Sequence, residues 1–272
     1  GKLNHHTGLN KYKGKYDLSE MAVRVSRGKV MARGVTELRK SYPEQASNFD
    51  LGHEFLRVAL DEAVNKVSSD NLSHEYTALP RRILGSTESW QELKPVLLER
   101  FEGLRVAARE YREGENKEQF AVVRSKEQGE LAFTNKSDPN KRVFMTEFGL
   151  QQSPIVIGMT LGHELSHLKL DTHDIVYYER GHRINPKSSE RGEADRVAKG
   201  EADVQLADTA SKRVPADVLK RIFDSKESAG IQQALQDNPA LRSQALLNNA
   251  DTLVLLVFAF GHSAVWNKQL GL

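Results

Sequence analysis

His163-Glu164-Leu165-Ser166-His167 has the residue types and spacing that hydrolytic metal chemistry requires. On a helix, residues i and i+4 lie one turn apart on the same face. Two neutral imidazoles placed this way can both reach one zinc ion at about 2.0–2.1 Å. Glu164, next to the first histidine, stands beside such an ion rather than on it. Its carboxylate can take a proton from a water acidified by the metal and hand it to a leaving amine. This is the physical content of His-Glu-x-x-His on a helix, and it points to peptide-bond hydrolysis. The same letters also arise by chance on helix surfaces. Here the apolar run Ile155-Val156-Ile157-Gly158-Met159 just before them predicts a partly buried histidine face. A β-like segment, Arg142 to Phe148, precedes the helix and suits an edge strand that holds an extended peptide by strand addition.

A catalytic zinc takes three protein ligands and keeps one position open. The chain contains no cysteine, so the third ligand must be His, Asp or Glu, and disulfides are excluded. Just beyond the motif, Thr172-His173-Asp174-Ile175-Val176-Tyr177 resembles the Thr-x-Asp-x-x-Tyr segment of the aspzincins, the deuterolysin and peptidyl-Lys metalloendopeptidase group. Further on, Asn249-Ala250-Asp251-Thr252 is similar to the Asn-Ala-Asp-Thr/Ser motif that opens a late helix in that family. The resemblance covers residues 140–265 and rests on short motifs in the family's order.

The resemblance implies one catalytic zinc held by His163, His167 and Asp174, with Glu164 as general base and acid. It implies that Tyr177 donates a hydrogen bond to the oxyanion, an interaction worth a few kcal/mol when preorganised. Asp251 would line the substrate pocket or accept from a ligand imidazole N–H; its alternative is an ordinary acid favouring a helix N-terminus. Tyr177, read without the family, is equally a buried structural tyrosine. Some positions depart from the pattern. Asp171 stands where the family has Gly, and the connection from His167 to Asp174 is shorter than in the Lys-specific members, which leaves Asp171 as a substitute ligand. Val254 occupies a place that is acidic in those members, so strict lysine specificity is not expected. The fungal secreted members usually carry disulfides, which this chain lacks.

Other readings stay open. Glu190, Glu193 and Glu201 follow His167 at the kind of separation from which gluzincins draw a glutamate ligand, although the Glu-Ala-Asp strings there miss that signature's spacing. A helical interaction protein with an incidental His-Glu-x-x-His is the alternative outside enzymology. His173, His182 and His262 are read as loop or core histidines rather than ligands.

The elements that must position these residues are legible in outline. Helical apolar spacing dominates residues 17–112, including Val30-Met31-Val35-Leu38, and Ser86-Thr87-Glu88 opens a further helix through Trp90 and Phe101. Short β-like runs follow at Phe120–Val123, Glu130–Thr134 and Arg142–Phe148. Ser153 as N-cap and Pro154 at the first helical position open a helix to about Leu170. From Ser188 onward the pattern is helical, with breaks near Pro215, Gly230 and Pro239. The expected fold is α+β, with a mostly helical region at 1–115 and a zincin-like catalytic domain at 116–272, a small sheet beside the active-site helix.

Composition narrows the partners. With 39 basic and 37 acidic residues the net charge is +2, which gives no reason to invoke nucleic acid, because phosphate binding wants a concentrated basic surface. The longest apolar stretch, Leu253 to Phe260, is far short of the roughly 20 residues of a membrane span. The expected partners are a protein or peptide substrate and an inhibitor or immunity protein. The N-terminal GKLNHHTGLNKYKGKYDL lacks the apolar core of a secretory signal. With the absence of cysteine, this sets the expectation of a bacterial effector or toxin, secreted or delivered into a target cell without a classical signal peptide.

Overall fold

The computed structural model describes residues 12, 14–26, 28–114, 116–127, 129–178, 204–206, 220 and 228–271. The architecture is α+β, mostly helical with one four-stranded mixed sheet and one two-stranded ribbon. Two compact units form, each from two stretches of chain: residues 1–57 with 103–170, and residues 58–102 with 171–272.

The first unit is built on the sheet. Its strands are β1 (Lys29–Arg33), β2 (Phe120–Arg124), β3 (Ala132–Thr134) and β4 (Val143–Thr146), in the order β1-β2-β4-β3. β2 and β4 run parallel, and the outer strands pair antiparallel. The period-two alternation of strands sends Ala121, Val123, Phe133 and Phe144 to one face. There they pack with Leu18, Met21 and Ala22 of α1 (Leu18–Ser26). Phe133 and Phe144 stack at 4.7 Å. Towards the other face, Phe120 meets Phe49 of α3 (Pro43–Ser68) and Tyr111 of α5 (Trp90–Glu113) edge-on. Against β3 and β4 lies α7 (Pro154–Lys169), reached from β4 through the short helix α6 (Glu147–Leu150); α2 (Val35–Ser41) packs beside β1, and α4 (His74–Leu84) belongs to the second unit.

Two expectations for this unit are corrected. Val30 and Met31 lie in β1, not in a helix, because Gly28 and Gly34 bracket a run of only five residues. Gly34 has φ 106°, a conformation that glycine reaches without steric cost. Helical and strand periodicity cannot be told apart over so short an apolar run, and pairing with β2 decides it. The segment Arg142 to Phe148 is not an edge strand. Its strand part, β4, is interior and buried at every position, while Glu147 begins α6. The signal was present: Val143-Phe144-Met145 has no polar alternation, as expected for a strand covered on both faces. The edge strands are β1 and β3, and β3 is the one that lies against α7.

His53 shows what burial costs in this unit. It is 3% exposed, packs edge-on against Phe49 and Phe120, and its Nε2 lies 3.0 Å from the Ala108 carbonyl, to which the neutral ring donates. Burial, helped by the nearby Arg112, pulls its pKa down to about 4 against a raising hydrogen bond to Ala108. Above pH 6.5 the ring is neutral folded or unfolded and contributes no pH dependence. As pH falls from 6.5 to about 4, the unfolded chain gains a proton that the folded chain refuses, so stability is lost across that window. The loss is about 3 kcal/mol for this group. Urea melts at pH 7 and pH 4.5 should therefore differ less in His53→Gln than in the wild type; equal differences would show that His53 does not carry the acid sensitivity.

The second unit is helical. Its C-terminal part comprises α8 (Ser228–Asp237), α9 (Pro239–Leu247), α10 (Ala250–Phe260) and α11 (His262–Leu270), with the ribbon of β5 (Val176–Tyr178) and β6 (Val204–Leu206). Gly230 lies inside α8 and is no break, whereas Pro239 opens α9 under an Asn238 cap. The start of α5 is set by Ser89 and Glu92, each accepting from the other's backbone N–H, rather than by Ser86. Ser188 and Pro215 lie outside the described residues. α10 is buried along nearly its whole length, and Phe260 packs against Phe101, Trp90 and Tyr76. No single described helix is long and apolar enough to cross a membrane; α10 and α11 pass that test only as a pair bent by 66°.

Candidate metal centre

The helix that carries His163 and His167 is defined from its first residue. Ser153 Oγ accepts from Val156 N, and Pro154 occupies the first turn, where its missing N–H costs nothing. Ile157, Leu161 and Leu165 repeat every four residues and are fully buried, which fixes the rotation of α7. A Cβ on Gly52 of α3 would come within 2.6 Å of Ile157 Cβ, so only glycine allows this crossing. The histidines then fall on the other side of the helix. Residues 161–167 are buried except His163, which is half-buried.

His163 and His167 converge. Their Nε2 atoms are 3.0 Å apart and their rings are nearly perpendicular. Two nitrogens on one tetrahedral zinc stand about 3.3 Å apart, so the pair, now at hydrogen-bond distance, need open only slightly to share an ion. Both lie near the C-terminal end of α7, where unpaired carbonyls favour a cation. Ser166, fully buried, donates to the His163 carbonyl at 2.7 Å and tightens that turn. The ligand atoms of His163, His167 and Asp174 all lie within 4.8 Å of one another, a cluster that could hold a metal ion. Two imidazoles and one carboxylate are a donor set suited to zinc. Glu164 is 6% exposed. Among the described residues its carboxylate has no hydrogen-bond or salt-bridge partner.

Asp174 sits on a segment pinned by hydrogen bonds. His173 N donates to the Asn248 carbonyl at 2.9 Å, and the His173 carbonyl accepts from Ala250 N at 3.1 Å, which makes a parallel bridge. Asn249 Oδ1 accepts from Ile175 N at 2.9 Å, and its Nδ2 donates to Thr252 Oγ1 at 3.1 Å. The N-cap residue of α10 thus caps no backbone N–H of its own helix: its Oδ1 serves the Asp174 segment, while its Nδ2 stays with Thr252 in α10. Sequence reasoning assigned no role to Asn249; its place in the Asn-Ala-Asp-Thr string was the available signal.

Asp171 is not a member of the cluster. Its side chain is 83% exposed and its φ is 54°, directly after the helix cap at Leu170. This is the left-handed position at which helices prefer glycine. Asp171→Gly should relieve this strain and stabilise the fold by about 0.5–1 kcal/mol. Calorimetry should show Tm rising by about 2–3 °C; a lower Tm would mean that the carboxylate does structural work here.

Tyr177 lies on β5, paired through its backbone with Gln205, and its side chain is outside the described residues. Asp251 is half-buried in the first turn of α10 and does not join the cluster. His173, with an 11% exposed side chain, is held by its backbone and is no member either. His262 stacks on Trp266. Glu190, Glu193, Glu201 and His182 lie outside the described residues. No family model, curated protein or solved structure matches the chain.

Proposed function

We propose that this protein is a zinc endopeptidase of the aspzincin type, acting on a protein or peptide substrate. The observation that carries the proposal is the convergence of His163, His167 and Asp174, the ligand set implied by the sequence resemblance, with their donor atoms within 4.8 Å. These residues would hold one ion. When bound, it would supply Lewis acidity to the hydrolytic water and the scissile carbonyl.

The chain's own groups do the rest. Glu164, buried beside His163 and without a competing partner, would receive the proton of the attacking water and deliver it to the departing amine. Tyr177 would donate to the developing oxyanion from its place three residues beyond Asp174. The outer edge of β3 pairs with no described strand, and β3 lies against α7, so an extended peptide could add there as a further strand. Asp251 would favour a basic side chain near the scissile bond.

The protein should purify with, or take up, close to one zinc per chain. Incubated with a proteome-derived peptide library, the zinc-loaded protein should generate new termini readable by mass spectrometry. Failure to bind zinc, or zinc-loaded protein that creates no new termini, would sink the proposal.

A further inference from the structure

We propose that Asn249 is a positioning residue of the metal centre: its side chain holds the 173–175 segment in the conformation that presents Asp174, and so couples metal affinity to the start of α10. This rests on the reading of His163, His167 and Asp174 as ligands. The geometry argues for it in three steps.

First, Asn249 is fully buried, and so are both of its side-chain partners, Ile175 and Thr252. A buried amide is costly unless paired, so Asn249 has one low-energy orientation, and that orientation receives Ile175 N. Second, the backbone bonds around it close a two-sided clamp. His173 N reaches Asn248 and the His173 carbonyl receives Ala250 N, while Ile175 N reaches the Asn249 side chain. Asp174 is thereby held from the residue before it and the residue after it. Third, the far side of the clamp is rigid. α10 is buried from Thr252 to Phe260, and Asn248 is itself held by Arg100 and by its own bond to Gln244 O. A ligand carried on a short irregular segment loses less freedom on coordination if that segment is ordered beforehand. Partners that orient a ligand typically change metal affinity about 10–100-fold when removed.

The coupling must be reciprocal. If the clamp strengthens metal binding, bound metal must strengthen the clamp by the same factor. That gives a readout independent of catalysis. In Asn249→Ala, zinc affinity measured by competition with a chromophoric chelator should fall about 10–100-fold. Asn249→Asp keeps the acceptor for Ile175 N and lets the Thr252 hydroxyl donate instead, so it should restore affinity to within about 3-fold of wild type. A residue that served only the stability of α10 would lower Tm without changing zinc affinity. In the wild-type protein, zinc should slow hydrogen exchange at Ile175 N–H by a similar 10–100-fold; this measurement stands even if Asn249→Ala does not fold. If wild type binds zinc while Asn249→Ala keeps its affinity, or zinc leaves exchange at Ile175 unchanged, the positioning role is wrong. If wild type binds no zinc, the metal centre itself fails and this inference with it.

Discussion

Glu164→Gln is expected to lower kcat by about 10³-fold while leaving zinc content unchanged. The reasoning starts from the position of the carboxylate. Glu164 follows His163 on α7, so it cannot share the face on which the two Nε2 atoms meet, and it is 6% exposed without a partner among the described residues. Glutamine has the same shape, so it should fill the same space and leave the ligands in place. It cannot accept a proton at neutral pH, and a base contribution of this size would be lost outright. KM should change little, because the proposed role of Glu164 is on the water and the leaving amine rather than on the resting peptide. Peptide cleavage assays with parallel metal analysis test this. Cleavage by zinc-loaded Glu164→Gln at the wild-type rate would remove Glu164 from the mechanism; loss of zinc together with activity would make it structural instead.

Asp138→Ala should be the most destabilising of these substitutions, at about 3–5 kcal/mol. Asp138 and Arg142 are both fully buried, joined at 2.7 Å between Nε and Oδ2 and at 3.1 Å between Nη2 and Oδ1. The same carboxylate accepts from the backbone N–H groups of Asn140 and Arg142 and so shapes the turn that feeds β4. Arg142 also reaches the Tyr16 carbonyl and Met21 Sδ, which ties the start of α1 to that turn. Removing the carboxylate strands a guanidinium in a space that water does not reach. Calorimetry should show Tm falling by about 10 °C. The double variant Asp138→Leu with Arg142→Met should recover most of the loss, because it buries no charge. A small effect from the single change would mean that the arginine can turn out to solvent.

Much of the local structure was legible before any coordinates. Ser153 and Pro154 mark the start of α7 through a cap and a missing donor, both properties of single residues. Phe120–Val123 reads as a strand and forms one, because its short β-rich run is bounded by turn signals. β1 was not legible, because a five-residue run between glycines matches both periodicities. The order β1-β2-β4-β3 was not legible either. Strand adjacency is a choice among pairings whose hydrogen bonds are alike in kind, and only burial of particular side chains selects one. That choice put the edge beside α7 at β3 rather than at Arg142–Phe148.

At the candidate site the division is similar. The residue types and spacing of His163, Glu164 and His167 are properties of the chain alone, since a helix of fixed pitch puts i and i+4 on one face whatever surrounds it. The support beneath them is not. Asn249 stands 75 residues beyond Asp174, and its Asn-Ala-Asp-Thr setting marks the residue without specifying that its side chain will receive Ile175 N rather than cap its own helix. Chemistry carried by short-range spacing is written into sequence because helix geometry is universal. Support from distant residues is decided only when the chain packs, because it depends on which buried amides find each other.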